Sequence, residues 1–180
     1  MSEARKVRLP LDDETAASLR AGEAVLLSGV LYTARDAAHQ RLVKAVEAGE
    51  PLPFDLRGQA IYYCGPAPTP PGRPIGSAGP TTSSRLDPFT PLLYSLGLKA
   101  TIGKGERAAT VREACRKYGC VYLVAVGGAG ALLADRVTAA EVIAYPELGP
   151  EAVRRLVVEG FPALVAYDAE GNSIFPGEDA

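Results

Sequence analysis

The sequence predicts a mixed α/β protein, and three observations carry that prediction. Short β-like apolar runs (Ala24 to Thr33, Gln59 to Cys64, Val121 to Val126) alternate with stretches bearing helix start and stop signals. Glycine and proline punctuate most of the changes from one to the other. A length of 180 residues, 47% of them hydrophobic and 22% charged, suits a globular core. Residues 1–180 are therefore expected to form a single domain, and they contain no internal repeat.

In chain order, Arg5 to Leu11 alternates polar and apolar residues and predicts a short strand. Asp12 and Asp13 offer an N-cap for a helix through Leu19, which Gly22 ends. Ala24 to Thr33 (AVLLSGVLYT) predicts a strand with Gly29 at a bulge or a close backbone approach. A helix follows from Asp36 through Ala48, stopped by Gly49. Pro51 and Pro53 mark a turn. Gln59 to Cys64 then predicts a buried strand that enters a proline-rich loop, Gly65 to Pro74.

Next comes IGSAGPTTSSRLD, Ile75 to Asp87. Asp87-Pro88 has the form of an N-cap and first-turn proline, opening a helix that Gly97 closes. Lys99 to Ile102 predicts a strand running into Gly103-Lys104-Gly105, followed by a helix from Glu106 to Lys117. After the strand Val121 to Val126, Gly127-Gly128-Ala129-Gly130 predicts a turn into a short apolar helix around Ala131 to Leu133. The end, Ala152 to Phe175, is expected to hold a helix start, a strand and a hairpin around Glu170-Gly171-Asn172.

Bulk properties remove several function classes. The net charge is −2 and the basic residues are scattered, which argues against a nucleic-acid binder. No apolar run reaches the roughly 18 residues of a membrane span, and the N-terminus lacks a signal-peptide pattern. Three cysteines, an odd number, fit a reducing cytoplasm. Cys64 stands alone, and Cys115 and Cys120 have no third ligand nearby, so no metal site is expected in this chain.

The chemistry concentrates in three places. Backbone N–H groups, hydroxyls and the guanidinium of Arg85 in the loop Ile75 to Asp87 could receive a small anion. Arg85 could clamp a carboxylate in bidentate fashion, with Thr81 or Thr82 adding a hydroxyl. Arg35 falls where a strand hands over to a helix, with Asp36 able to cap that helix and His39, the only histidine, one turn along it. Lys104, between two glycines, is a point charge for a carboxylate or a general acid. The plain alternatives are a Gly/Ser/Pro-rich surface turn, a capped helix with a surface histidine, and a turn lysine. Two nucleotide motifs fail on spacing. Lys104 is followed by Gly105 rather than Ser or Thr, and VGGAG places Leu133 where a dinucleotide fingerprint needs Gly or Ala.

The stretches LSGVLYTARDAAH, AIYYCGPAP, IGSAGPTTSSRLD, IGKG, VYLVAVGGAGALLA and EGFPALVAYDAEGNSIF together resemble one family. It is the β subunit of class I (iron–sulfur) fumarate hydratase and L(+)-tartrate dehydratase, equivalent to the C-terminal domain of single-chain class I fumarases. Leu86 departs from the methionine more usual there. The resemblance implies a swivelling β/β/α domain and a hydro-lyase that reversibly hydrates fumarate to L-malate, or alternatively converts L(+)-tartrate to oxaloacetate. It implies a 4Fe–4S cluster held by a partner α subunit, whose open iron acts as a Lewis acid, and an α₂β₂ assembly. By motif, Arg35 and Arg85 would grip substrate carboxylates with Thr82 and Gly79 beside them. Thr81 would take the proton from carbon, Lys104 would bind carboxylate or assist proton transfer, and Asp36 and His39 would buttress Arg35. A non-catalytic anion-binding module and a nucleotide-binding domain are the readings from other classes.

Overall fold

The run VRRLVVEGFPALVAY, Val153–Tyr167, forms the longest strand of the computed structural model, which describes residues 3–125 and 129–177. In chain order the strands are β1 (Arg5–Leu9), β2 (Ala24–Thr33), β3 (Ala60–Tyr62), β4 (Ala100–Gly103), β5 (Val121–Val124), β6 (Val137–Ala144) and β7 (Val153–Tyr167). The helices are α1 (Asp13–Ser18), α2 (Asp36–Glu47), α3 (Thr90–Ser95), α4 (Ala109–Tyr118) and α5 (Gly130–Ala134). Short 3₁₀ turns occupy Ser83–Leu86 and Pro146–Glu151. The expected mixed α/β class is what forms. No helix among the described residues is long and apolar enough to cross a membrane.

β2 and β7 are the frame. They pair antiparallel from Ala24↔Leu164 to Thr33↔Arg154. The other edge of β2 serves β1 with its first half and β3 with its last residues. The other edge of β7 likewise serves β6 first and β5 last. The sheet order β1-β2-β3-β4-β5-β7-β6, with β2 also on β7, closes a ring through β2, β3, β4, β5 and β7. β2 to β5 are mutually parallel, so their C-terminal ends meet at one rim.

Alternation along each strand splits the apolar residues between two sides. Val25, Leu27, Leu31, Ala60, Tyr62, Ile102, Leu123 and Phe161 share one cluster. Ile61, Tyr63 and Tyr122 belong to a second, built against Ala38 of α2, Leu93 of α3 and Val111 of α4. Each fully buried Leu, Ile or Val contributes roughly 1.5–3 kcal/mol relative to exposure. Gly29 shifts the register of β2 on β7, as the sequence suggested. Its φ is +124°, and a Cβ there would lie 2.3 Å from the Leu9 carbonyl oxygen. Asp12 caps α1 by accepting from Thr15 N at 2.6 Å.

Several expectations need correction. β1 stops at Leu9 because Pro10 has no N–H to continue the ladder. Asp87 does not cap α3, which begins at Thr90. Its carboxylate instead accepts from Arg107 Nε and Ala108 N, at 2.7 and 2.8 Å. α4 begins at Ala109 rather than Glu106, because the backbone of Arg107 is engaged by Tyr167. Ala152 leads into strand, not helix. β6 was not expected at all. The hairpin at Glu170-Gly171-Asn172 is present, held by Asp168, which accepts from the backbone of Glu170 and Asn172. Val126 and the Gly127-Gly128 part of the expected turn lie outside the described residues.

Candidate functional site

Residues leaving the parallel strands arrive together at the rim. Arg35 follows β2, Gly65 follows β3 and Lys104 follows β4. Open α/β sheets place ligands at this end of the strands. The loop 75–87 is tied across the rim by its own backbone. Thr81 N donates to the Tyr63 carbonyl at 2.7 Å, and Thr82 forms a parallel bridge with Lys104. Ser83 N donates to the Lys104 carbonyl, and Lys104 N donates to Ser83 Oγ, both at 3.0 Å. Gly103 permits this, since a Cβ there would lie 1.9 Å from Ser83 Oγ. Earlier in the loop, Tyr62 Oη donates to the Ala78 carbonyl at 2.5 Å. Gly79 packs on Gly130, where a Cβ would come 2.9 Å from Gly79 N.

The cations at this rim are under-paired. Arg35 is half-buried with no carboxylate partner among the described residues, and its Nε is buried without a hydrogen-bond partner. Its side chain lies along Gly65, where a Cβ would fall 2.9 Å from Arg35 Cδ. Lys104 is exposed and likewise makes no ion pair among the described residues. Arg85 is exposed, and its Nε and an Nη both meet Asp36 Oδ2 at 2.9 Å. Asp36 Oδ1 is buried and unpartnered. Asp36 thus supports Arg85 rather than Arg35, because the first turn of α2 faces the 3₁₀ turn that carries Arg85.

His39 is fully buried, against the alternative of a surface histidine. Burial lowers its pKa from 6.5 to about 4, so the ring is neutral at pH 7. Its Nδ1 lies 2.8 Å from the Arg35 carbonyl, an acceptor only, so Nδ1 carries the proton. Tyr63 meets the ring edge-on and Phe89 lies beside it. His39 therefore fixes the backbone of Arg35 and leaves its guanidinium alone.

Two arginines escaped the sequence reading. The side chain of Arg107 is 0% exposed and pairs with Asp87. Arg154, opposite Thr33 at the rim, donates to the Gly149, Pro150 and Ala152 carbonyls. No periodicity marks either residue, since their partners are remote or backbone. The cysteines are all buried and free, and burial pushes each thiol up to about 12. No group of three His, Cys, Asp or Glu side chains among the described residues could hold a metal ion.

The closed α/β sheet thus presents Arg35 and Lys104, without carboxylate partners among the described residues, at the C-terminal ends of parallel strands. The chain belongs to the Fumarase C-terminus family, whose model matches residues 1–177. It is similar to Fumarate hydratase 2 of Leishmania major, 44% identical over 156 residues, covering 86% of this chain and 28% of that protein. The anaerobic class I fumarate hydratase of Escherichia coli K12 is 44% identical over 151 residues, covering 83% of this chain and 28% of the enzyme. A Methanocaldococcus jannaschii protein provisionally named L(+)-tartrate dehydratase subunit beta is 39% identical over 167 residues, covering 87% of this chain and 84% of that protein. The chain therefore spans little more than a quarter of these two fumarate hydratases.

Proposed function

We propose that this chain is the β subunit of an iron–sulfur hydro-lyase that reversibly hydrates fumarate to L-malate in the cytoplasm. It acts as one swivelling β/β/α domain that closes on an α subunit, in an α₂β₂ complex. The observation that carries the reading is the rim itself: Arg35, with its Nε unpartnered, stands at the strand ends where Lys104 is bridged to the loop bearing Thr81 and Arg85. The family membership gives that rim its chemistry.

In this reading Arg35 and Arg85 bind the two carboxylates of a short diacid, where charge-assisted fork geometry fixes orientation. Thr82 and Gly79 complete the wall beside them. In the direction of dehydration, Thr81 takes the proton from the carbon next to one carboxylate. A threonine hydroxyl is a weak base, and the neighbouring cations Arg85 and Lys104 favour its ionised form. Lys104 neutralises the carboxylate as negative charge grows on the carbon. Asp36 orients Arg85, and His39 holds the turn that presents Arg35. No three ligating side chains stand together among the described residues, and in this reading the 4Fe–4S cluster belongs to the α subunit together with the handling of the leaving hydroxyl.

A second reading is favoured by the M. jannaschii relative, named as a subunit beta, 84% of which this chain covers. It makes this chain the β subunit of an L(+)-tartrate dehydratase, with the same rim binding the same two carboxylates. The test is an anaerobic assay of the chain alone and mixed with its α subunit, supplied with malate and then with tartrate. Turnover only in the mixture supports the subunit reading, and the faster substrate names it. A silent mixture with an intact cluster leaves an anion-binding module and ends the hydro-lyase proposal.

A further inference from the structure

Arg107 is the most completely satisfied cation in the described residues, and nothing in the proposed reaction uses it. Its Nε donates to Asp87 Oδ1 at 2.7 Å, one Nη to Thr101 Oγ1 at 3.0 Å and the other to Thr90 Oγ1 at 2.7 Å. The guanidinium carbon lies 5.0 Å from the ring centroids of both Tyr63 and Tyr122. Such stacking attracts a cation to each ring face. Three of these contacts lead back to the loop 75–87. The Tyr63 carbonyl accepts from Thr81 N at 2.7 Å. Tyr122 Oη hydrogen-bonds Ser83 Oγ at 2.8 Å and donates to the Gly105 carbonyl at 2.7 Å. Asp87 ends the loop, and its second oxygen accepts from Ala108 N.

We infer that Arg107 is a positioning residue, which locks the loop 75–87 so that Thr81, Thr82 and Arg85 stand against Lys104. It reaches no substrate. It acts through Tyr63, which fixes Thr81 from below, through Tyr122 and Ser83, which fix Lys104, and through Asp87, which closes the loop. The guanidinium suits this task because its planar fork serves three acceptors while it lies over two tyrosine rings. An ammonium at the same place serves fewer acceptors and stacks less well. The inference rests on the proposed function only for what the loop does once positioned.

The test compares wild type with Arg107→Lys and Tyr122→Phe in the complex with the α subunit, by backbone hydrogen exchange and steady-state kinetics. Exchange of the Thr81 and Ser83 amides is expected to quicken at least tenfold. The Val121 and Val165 amides, bonded to the Lys99 and Glu23 carbonyls in the barrel, should stay within threefold. kcat should fall at least tenfold with KM changing less than threefold. Unchanged exchange at Thr81 and Ser83, a rise shared equally by all four amides, or a kcat within threefold of wild type would overturn the inference. If Arg107→Lys does not fold, Tyr122→Phe decides by the same criteria. If the wild-type complex turns over neither malate nor tartrate, the functional reading has failed, and exchange alone upholds or overturns the lock.

Discussion

Arg35 follows β2 and Arg107 comes shortly after β4, with β3 between the two strands, and the two arginines live in opposite conditions. Each guanidinium nitrogen of Arg107 has an acceptor, in Asp87, Thr101 and Thr90, and its carbon lies 5.0 Å from the ring centroids of two tyrosines. Arg35 has a buried Nε without a hydrogen-bond partner and makes no ion pair among the described residues. Buried polar groups are ordinarily paired, because an unmade hydrogen bond costs about 1–3 kcal/mol. On the proposed function, the saturated, paired cation holds the fold together and the unsaturated one at the strand end is kept for a ligand. Arg85 stands between the two, sharing one oxygen of Asp36.

That contrast can be broken from either side. The largest effect belongs to the saturated end. Arg107→Met leaves Asp87 as a nearly buried, uncompensated charge, and a loss of about 3–5 kcal/mol is expected by chemical denaturation of the chain. A loss below about 1 kcal/mol would mean that the pair is structurally idle.

Acid should find His39 next. Its folded pKa, about 4, lies below its ordinary 6.5 because burial disfavours the charged ring. Between those values the unfolded chain binds the proton and the folded chain does not. Stability from the neutral ring is thus complete above about pH 6.5 and is lost as pH falls toward 4, by about 3 kcal/mol in all. Arg107 opposes protonation and Asp36 favours it. Denaturation midpoints at pH 7, 5.5 and 4.5 should fall less steeply in His39→Gln than in wild type; equal slopes would place the acid sensitivity elsewhere.

At the unsaturated end, stability and activity should separate. Asp36→Asn frees Arg85 from a partly exposed pair, so the melting curve should move by no more than about 1 kcal/mol. Turnover of the complex is expected to drop about tenfold, roughly 1.4 kcal/mol, as Arg85 loses its orientation. Gly65→Ala is the subtlest probe. Its new methyl would meet Arg35 Cδ, the flexible part of that side chain, and displace it. A rise in KM with a melting temperature close to wild type is expected, and an unaltered KM would show that the guanidinium position is not critical.

Much of the rim was legible in the sequence because local chemistry marks it. Apolar strands that end in Arg35, Gly65 and Gly103-Lys104 carry their own stop signals, and Gly29 announced a close approach that the Leu9 carbonyl makes real. The lock beneath the rim was not legible. Asp87 before Pro88 looks like a helix cap, and only the tertiary fold shows that Arg107 and Ala108 take its carboxylate. β6 was missed because Val137–Ala144 is mostly Thr, Ala and Glu on an edge, with its middle residues exposed, so it shows no two-residue alternation. His39 reads as a surface helix residue until α2 is seen packed on Tyr63 and Phe89.

The most direct test is Arg35→Ala in the assembled complex, with kcat/KM and melting temperature measured on the same preparation. An unsaturated ligand-binding cation predicts a loss of about 100-fold in kcat/KM, roughly 3 kcal/mol, with a melting temperature equal to wild type or higher. A variant that keeps near-normal kcat/KM, or that loses its activity only in step with its fold, would contradict the assignment of this rim as the substrate site.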